Sequence, residues 1–220
     1  MPKIYEHTFD AEKRAVAERQ LPMVRADEFY MAGGSALALR LGHRTSHDID
    51  RFSPKAFDAK RLVETLSELK GKPTRVEING PHTVRAYYGN LETSFIRYTQ
   101  IPAETEMVSC TSSLSLPVGK MKLLSGMKAG AVFHRGQKKD FVDVYSISRQ
   151  PGWSVARFIE NAAEKLPIPP SEMARALLYF RDAEQTAMPE NCSVTWNAVK
   201  THVERGVRDW ERSLGKNLER

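Results

Sequence analysis

Little in this 220-residue chain suggests a disulfide framework, a membrane or a fibre. It has two cysteines, Cys110 and Cys192. Two are too few to staple a chain of this length, and neither has a second Cys or a His at zinc-motif spacing. Both are expected to be thiols buried in the fold. No stretch approaches the roughly 18 apolar residues that a membrane span requires. The opening, MPKIYEHTFDAEKR, is charged where a signal peptide would be apolar, so the reading places the chain in the cytoplasm. There is no internal repeat and no low-complexity segment. Hydrophobic residues at 41% and charged residues at 27% are ordinary for a globular protein.

Acidic residues are also missing from one long interval, between Glu106 and Asp140, which holds Lys120, Lys122, Lys128, Arg135, Lys138 and Lys139. The formal net charge of +6 is correspondingly uneven. Residues 1–115 carry 16 Lys/Arg and 15 Asp/Glu, while residues 116–220 carry 17 and 12. A field of that kind attracts phosphates, although a solvated basic face with no ligand is the commoner fate of such runs.

The first half reads as mixed helix and strand. DAEKRAVAERQ (10–20) is a helix pattern, and EFYMA (28–32) is a short strand that ends at Gly33-Gly34. SALALRL (35–41) then starts a helix at its serine. HDIDRFS (47–53) reads as a strand, with Asp48 and Asp50 of one parity. An amphipathic helix follows over 58–70, with Leu62, Leu66 and Leu69 at helical spacing. Three strand-like runs come next, at 74–78, 82–88 and 91–98, the last two forming a plausible hairpin. Beyond Pro117 the strand signals stop, and helices are expected near 118–130, 138–148, 154–166, 171–182 and 194–214. In the last, Trp196, Val199, Val203, Val207, Trp210 and Leu214 recur at steps of three or four as a core stripe, and Ser193 is the expected N-cap. The fold class is therefore α+β: an α/β core over 1–115, then a helical lobe over 116–220, with a cleft between two lobes.

The most informative stretch is GGSALALRLGHRTSHDIDRF. Two carboxylates two apart on a strand project to one side, with Cβ atoms about 6–7 Å apart. Such a pair can hold a divalent cation, and magnesium prefers hard oxygen ligands, completing its shell with water and substrate phosphates. The Gly33-Gly34-Ser35 turn offers backbone N–H groups at a helix N-terminus to a phosphate, and the Ser35 hydroxyl can bond another oxygen. An Asp-x-Asp or a Gly-Gly-Ser alone marks only a turn. The two at this spacing, with an apolar strand before and a helix after, resemble the nucleotidyltransferase superfamily of the polymerase-β type.

The stretch from Phe29 to Ser53, with its His43-Arg44, Ser46 and Asp48-x-Asp50 elements, resembles the opening motif of the AbiEii/AbiGii toxin family of nucleotidyltransferases. KMKLLSGMKAGAVFHRGQKKDFVDVYSI, from Lys120 to Ile147, is similar to that family's downstream pattern. The resemblance implies a polymerase-β-like core with a mixed sheet. It makes Asp48 and Asp50 ligands of magnesium or manganese, and Gly33, Gly34, Ser35 and Arg44 parts of the nucleotide pocket. It makes Lys122 the triphosphate-binding cation, and it puts Asp140 and Asp143 in a second acidic motif. Asp140 could equally be a dipole-favoured charge at a helix N-terminus. Asp143 could orient Lys122 as an ion pair or take a proton from an incoming hydroxyl.

The implied reaction is transfer of a nucleotide from a nucleoside triphosphate to an RNA, such as the 3′ end of a transfer RNA, or to a protein. The implied partner is a separately encoded antitoxin in a bacterial toxin–antitoxin or phage-defence system. One departure stands out: where many polymerase-β-type enzymes have a third metal carboxylate, this chain has Ser94, with Glu92 one pleat away. A nucleotidyltransferase fold that only binds nucleotide, RNA or a partner protein is the rival reading. A transition-metal site at His43 and His47 is disfavoured, because an i, i+4 pair converges only on a helix and Thr45-Ser46 reads as a turn.

Overall fold

Asp10 starts the first helix by accepting a hydrogen bond from the Lys13 amide, and Ala11–Arg19 (α1) follows. The computed structural model describes residues 4–26, 28–110 and 114–218, and the chain divides into two units, Met1–Lys120 and Met121–Arg220. In the first unit come Leu21–Ala26 (α2), Tyr30–Met31 (β1), Gly33–Leu41 (α3), Ile49–Ser53 (β2) and Ala59–Glu68 (α4). Then follow Arg75–Ile78 (β3), Thr83–Tyr88 (β4), Leu91–Arg97 (β5), Thr105–Ser109 (β6) and Ser115–Gly119 (β7).

The seven strands form one mixed sheet in the order β3-β4-β5-β2-β1-β7-β6. β2 runs parallel to β5 and β1 parallel to β7, while the other neighbours are antiparallel. Turn residues Gly89-Asn90 join β4 and β5 as the expected hairpin, with Tyr88 opposite Leu91. Asp58 caps α4 by accepting from the amides of Lys60 and Arg61, and α4 buries Leu62 and Leu66. Phe29 packs edge-on against Phe57 and Phe95, with ring centroids 5.1 Å apart in both pairs.

Three sequence expectations change here. β6 and β7 lie at 105–119, where no strand was expected, and the expected boundary at 115 falls inside β7. The TEMVS segment of β6 has only Val108 buried, which is an edge-strand pattern without a strong apolar alternation. Pro117 sits within β7, opposite Met107, although proline discourages an inner-strand reading. The strand carrying the acidic pair begins at Ile49, so Asp50 is in β2 while Asp48 lies in the bend before it.

The second unit consists of helices Met121–His134 (α5), Lys138–Ile147 (α6), Val155–Lys165 (α7), Pro170–Leu178 (α8), Arg181–Glu184 (α9) and Trp196–Leu218 (α10). Ser154 caps α7 by accepting from the Arg157 amide, and Pro170 occupies the first turn of α8. Val199, Val203 and Val207 are fully buried along α10, and Trp210 nearly so. Leu214 leaves the stripe, at 45% exposed. The cap of α10 is Thr195, whose hydroxyl accepts from the Ala198 amide at 3.3 Å, rather than Ser193. Cys110 is buried, and its thiol is pushed up to about 11 by burial, whereas Cys192 is only half-buried.

Candidate nucleotidyltransferase site

In the first unit the glycine turn and the acidic strand come together. Gly33 and Gly34 form the first turn of α3, so the helix starts two residues before Ser35. Its N-cap residue, Ala32, makes no side-chain cap bond, which leaves this helix start to backbone N–H groups. The Ala32 amide donates to the Asp50 carbonyl at 3.1 Å and fixes the turn against β2.

Both glycines are dictated by neighbours. Gly33 has φ +67°, and a Cβ there would lie 2.9 Å from Asp50 Oδ2. A Cβ on Gly34 would lie 2.7 Å from Arg44 Nη2. The backbone of this turn therefore sits directly against a carboxylate on one side and a guanidinium on the other. Ser35 is buried, its hydroxyl 3.1 Å from that of Ser46 and hydrogen-bonded to the Asp48 carbonyl. That bond holds the 42–48 loop onto α3, and it commits the hydroxyl that the sequence reading offered to a phosphate. Arg44 is buried and donates from Nη1 to the Thr45 carbonyl at 3.0 Å.

Asp50 is half-buried and Asp48 exposed. In the parallel ladder Asp50 stands beside Ser94, whose hydroxyl donates to Asp50 Oδ1 at 2.7 Å. The residue that the resemblance set against a third carboxylate is thus a serine that donates to Asp50. Among the described residues no group of three or more His, Cys, Asp or Glu side chains could hold a metal ion. A carboxylate beside a helix start, with a second exposed one two residues away, fits a hard ion such as magnesium or manganese better than a softer one such as zinc or copper, because a hard ion takes its remaining ligands from water and phosphate oxygens.

On the opposite side of β2 Arg51 is fully buried, with Nε donating to Gln20 Oε1 at 2.9 Å. Among the described residues its Nη1 and Nη2 have no hydrogen-bond partner, and burial lowers the guanidinium pKa to about 10. Gln20 in turn donates to Tyr88 and Thr93 at 3.1 Å each. Nothing in the sequence pattern marked this residue.

In the second unit the downstream motif forms a buried charge cluster. Lys128 Nζ lies 2.8 Å from Asp140 Oδ1 and 2.7 Å from Asp143 Oδ2, and neither carboxylate side chain is exposed. Arg135 bonds Asp140 through Nε and Nη2, and the Gln137 amide donates to it as part of a capping box. Burial alone would raise the Asp140 carboxyl, but the charges and hydrogen bonds of Lys128 and Arg135 hold it below its ordinary 3.8. The lysine on Asp143 is Lys128, where Lys122 was expected. Lys122 is exposed, and its carbonyl accepts from Asn161 Nδ2 at 3.0 Å.

Comparison with known proteins gives the chain a family and its fold a set of neighbours. Residues 23–216 match the family described as "Nucleotidyl transferase AbiEii toxin, Type IV TA system". The chain is 28% identical to the protein aq_aa25 of Aquifex aeolicus over 202 residues, covering 90% of this chain and 96% of that one. The structure resembles JHP933 from Helicobacter pylori, with TM-score 0.59 and 16% identity over 99% of this chain and 97% of that one. It also resembles the nucleotidyltransferase toxin MenT4 of Mycobacterium tuberculosis, with TM-score 0.56 and 13% identity over 89% and 82%. At such identities the solved structures speak for the fold, and the family match over most of the chain speaks for descent: this protein belongs to the AbiEii family of nucleotidyltransferase toxins.

Proposed function

We propose that the protein transfers a nucleotide from a nucleoside triphosphate to an RNA acceptor in a magnesium-dependent reaction, as the toxin of a cytoplasmic toxin–antitoxin pair. The observation that carries this reading is the glycine turn of α3, wedged between Asp50 and Arg44. What supports the reading is that its backbone N–H groups lie beside the Asp50 carboxylate and the Arg44 guanidinium. Asp48 and Asp50 would hold the ion, which when bound supplies positive charge to the phosphates. The amides of Gly33 and Gly34 receive phosphate oxygens, and Arg44 lines the pocket. Ser35 acts through the loop that it ties down. The acceptor oxygen bonds to the α-phosphorus as the bond to the pyrophosphate oxygen breaks and the hydroxyl proton is released.

Two lysines of α5 are candidates for the cation that meets the triphosphate. Lys122 is exposed, as a phosphate ligand needs to be. Lys128 contacts both acidic residues and has one further N–H to give. Asp140 and Asp143 serve as positioning residues for Lys128. Their full burial argues against direct contact of Asp140 with nucleotide and against Asp143 as a proton acceptor.

Incubation with each α-labelled triphosphate, magnesium and total RNA tests the reading. Label transfer is expected in the wild type and its loss in Asp48→Ala and Asp50→Ala. Nucleotide binding without transfer to RNA or protein would favour the binding-only module, for which Ser94 is the observation. Induced expression should arrest growth with the wild type and not with Asp50→Ala, and co-expression of the cognate antitoxin should relieve it.

A further inference from the structure

Within the second unit, α6 and α10 build another cluster. Tyr145 and His202 stack edge to face with centroids 4.9 Å apart. Arg149 sits 5.1 Å from the Tyr145 ring centroid, and its Nη1 donates to the Tyr145 hydroxyl at 2.9 Å. Ser148 Oγ lies 2.8 Å from His202 Nε2. Burial lowers the His202 pKa below its ordinary 6.5, and the neighbouring charges of Arg205 and Arg149 add to that. The imidazole thus feels two cations. Among the described residues neither Arg149 nor Arg205 has a carboxylate within salt-bridge distance. Both are exposed. Several other basic groups of this unit do have carboxylate partners, Arg157 in Glu160 and Glu164, Arg175 in Glu172, Lys200 in Glu184 and Arg212 in Asp209.

Two unanswered guanidiniums, an imidazole, a hydroxyl and an aromatic ring within one patch are the contact set of a phosphate backbone. An acidic protein partner would need an apolar centre to its interface. The exposed large apolar side chains of the described residues are Ile78, Met107, Phe133, Leu178, Tyr179 and Leu214, and none belongs to the cluster. The geometry points to Tyr145, Arg149, His202 and Arg205, with buried Ser148 bracing the imidazole from below, as a docking surface for the sugar–phosphate backbone of the acceptor RNA. This rests on the transferase reading for the identity of the RNA as acceptor, though not for binding itself. Arg149 and Arg205 each neutralise one phosphate, and the Tyr145–His202 pair gives a firm ring edge between them.

The test is fluorescence anisotropy of a labelled single-stranded RNA across a salt series, with wild type, R149A/R205A and R149K/R205K. Single strands lose about 0.7 in the log–log salt slope per phosphate contact. The alanine double variant should therefore bind about tenfold more weakly at low salt and have a slope shallower by about 1.4. The lysine variant should keep most of the slope, and melting curves should coincide. Unchanged RNA binding in R149A/R205A overturns the assignment. So does loss of a labelled oligoglutamate peptide with RNA binding intact, which would make the patch a protein site. Label transfer is measured separately. A wild type that transfers nothing, yet binds RNA through these arginines, sinks the transferase reading and leaves the surface standing.

Discussion

Ser94 lies directly beside Asp50 in the parallel ladder of β2 and β5 and donates its hydroxyl to Asp50 Oδ1 over 2.7 Å. A carboxylate at this place would repel Asp50, whereas the serine donates a hydrogen bond to it, and so fixes one oxygen while leaving Oδ2 turned toward the Gly33 backbone.

Removing that hydroxyl loosens Asp50 without emptying the core. Ser94→Ala should weaken manganese binding, read by electron paramagnetic resonance, about three- to tenfold, with a melting temperature close to wild type, since the bond lost is worth about 1–2 kcal/mol at most. Ser94→Thr keeps the donor and should restore affinity. Equal manganese affinity in all three proteins would show that Ser94 only fills space.

Gly33→Ala puts a methyl group 2.9 Å from Asp50 Oδ2 at a φ of +67°. The backbone strain costs about 1 kcal/mol or more, and the carboxylate must turn away. Label transfer should fall at least a hundredfold, well beyond the stability loss measured by urea unfolding.

The lysines of α5 separate cleanly by stability. Lys128→Ala removes the buried cation shared by two buried carboxylates, although Asp140 keeps Arg135 and the Gln137 amide, and should cost about 3 kcal/mol, whereas exposed Lys122→Ala should stay within about 0.5 kcal/mol of wild type. Chemical denaturation of both variants checks this. If Lys128→Ala were as stable as wild type, the buried cluster described here would be absent in solution.

Acid should unfold the second unit through the same cluster. Asp140 has a folded pKa below its ordinary 3.8, so the folded state binds fewer protons than the unfolded state near that pH. Its contribution is fully present above 3.8 and is lost as pH falls through the depressed value. Melting temperatures between pH 5 and pH 2 should drop for wild type. In Asp140→Asn, which starts lower because Lys128 and Arg135 lose the carboxylate they share, the drop should be shallower.

The first motif was legible because its two ends are constrained by backbone physics. Glycines stand where side chains would collide with Asp50 and Arg44, and an apolar strand leads into a helix around them. Most helices were legible from their periodicity and caps. What escaped was set by distant partners. β6 and β7 draw their stability from pairing, and their own pattern is broken by polar residues and by Pro117. Lys128 looks like one more cation in a basic interval, and only the packing of α5 on α6 turns it into the partner of Asp140 and Asp143. Asp48 read as a strand residue because its parity with Asp50 is the same whether the ladder begins at 47 or at 49.

Arg51 gives β2 a second use. Its side chain and that of Asp50 are consecutive and project to opposite faces, the guanidinium toward the Gln20 amide and the carboxylate toward Ser94. A slip of β2 by one residue would exchange them, driving Asp50 into the interior and thrusting Arg51 against the serine. Mispaired chains are thereby penalised twice, and the sheet proofreads its own alignment, so that molecules reaching the folded state present the same oxygen to the same glycine.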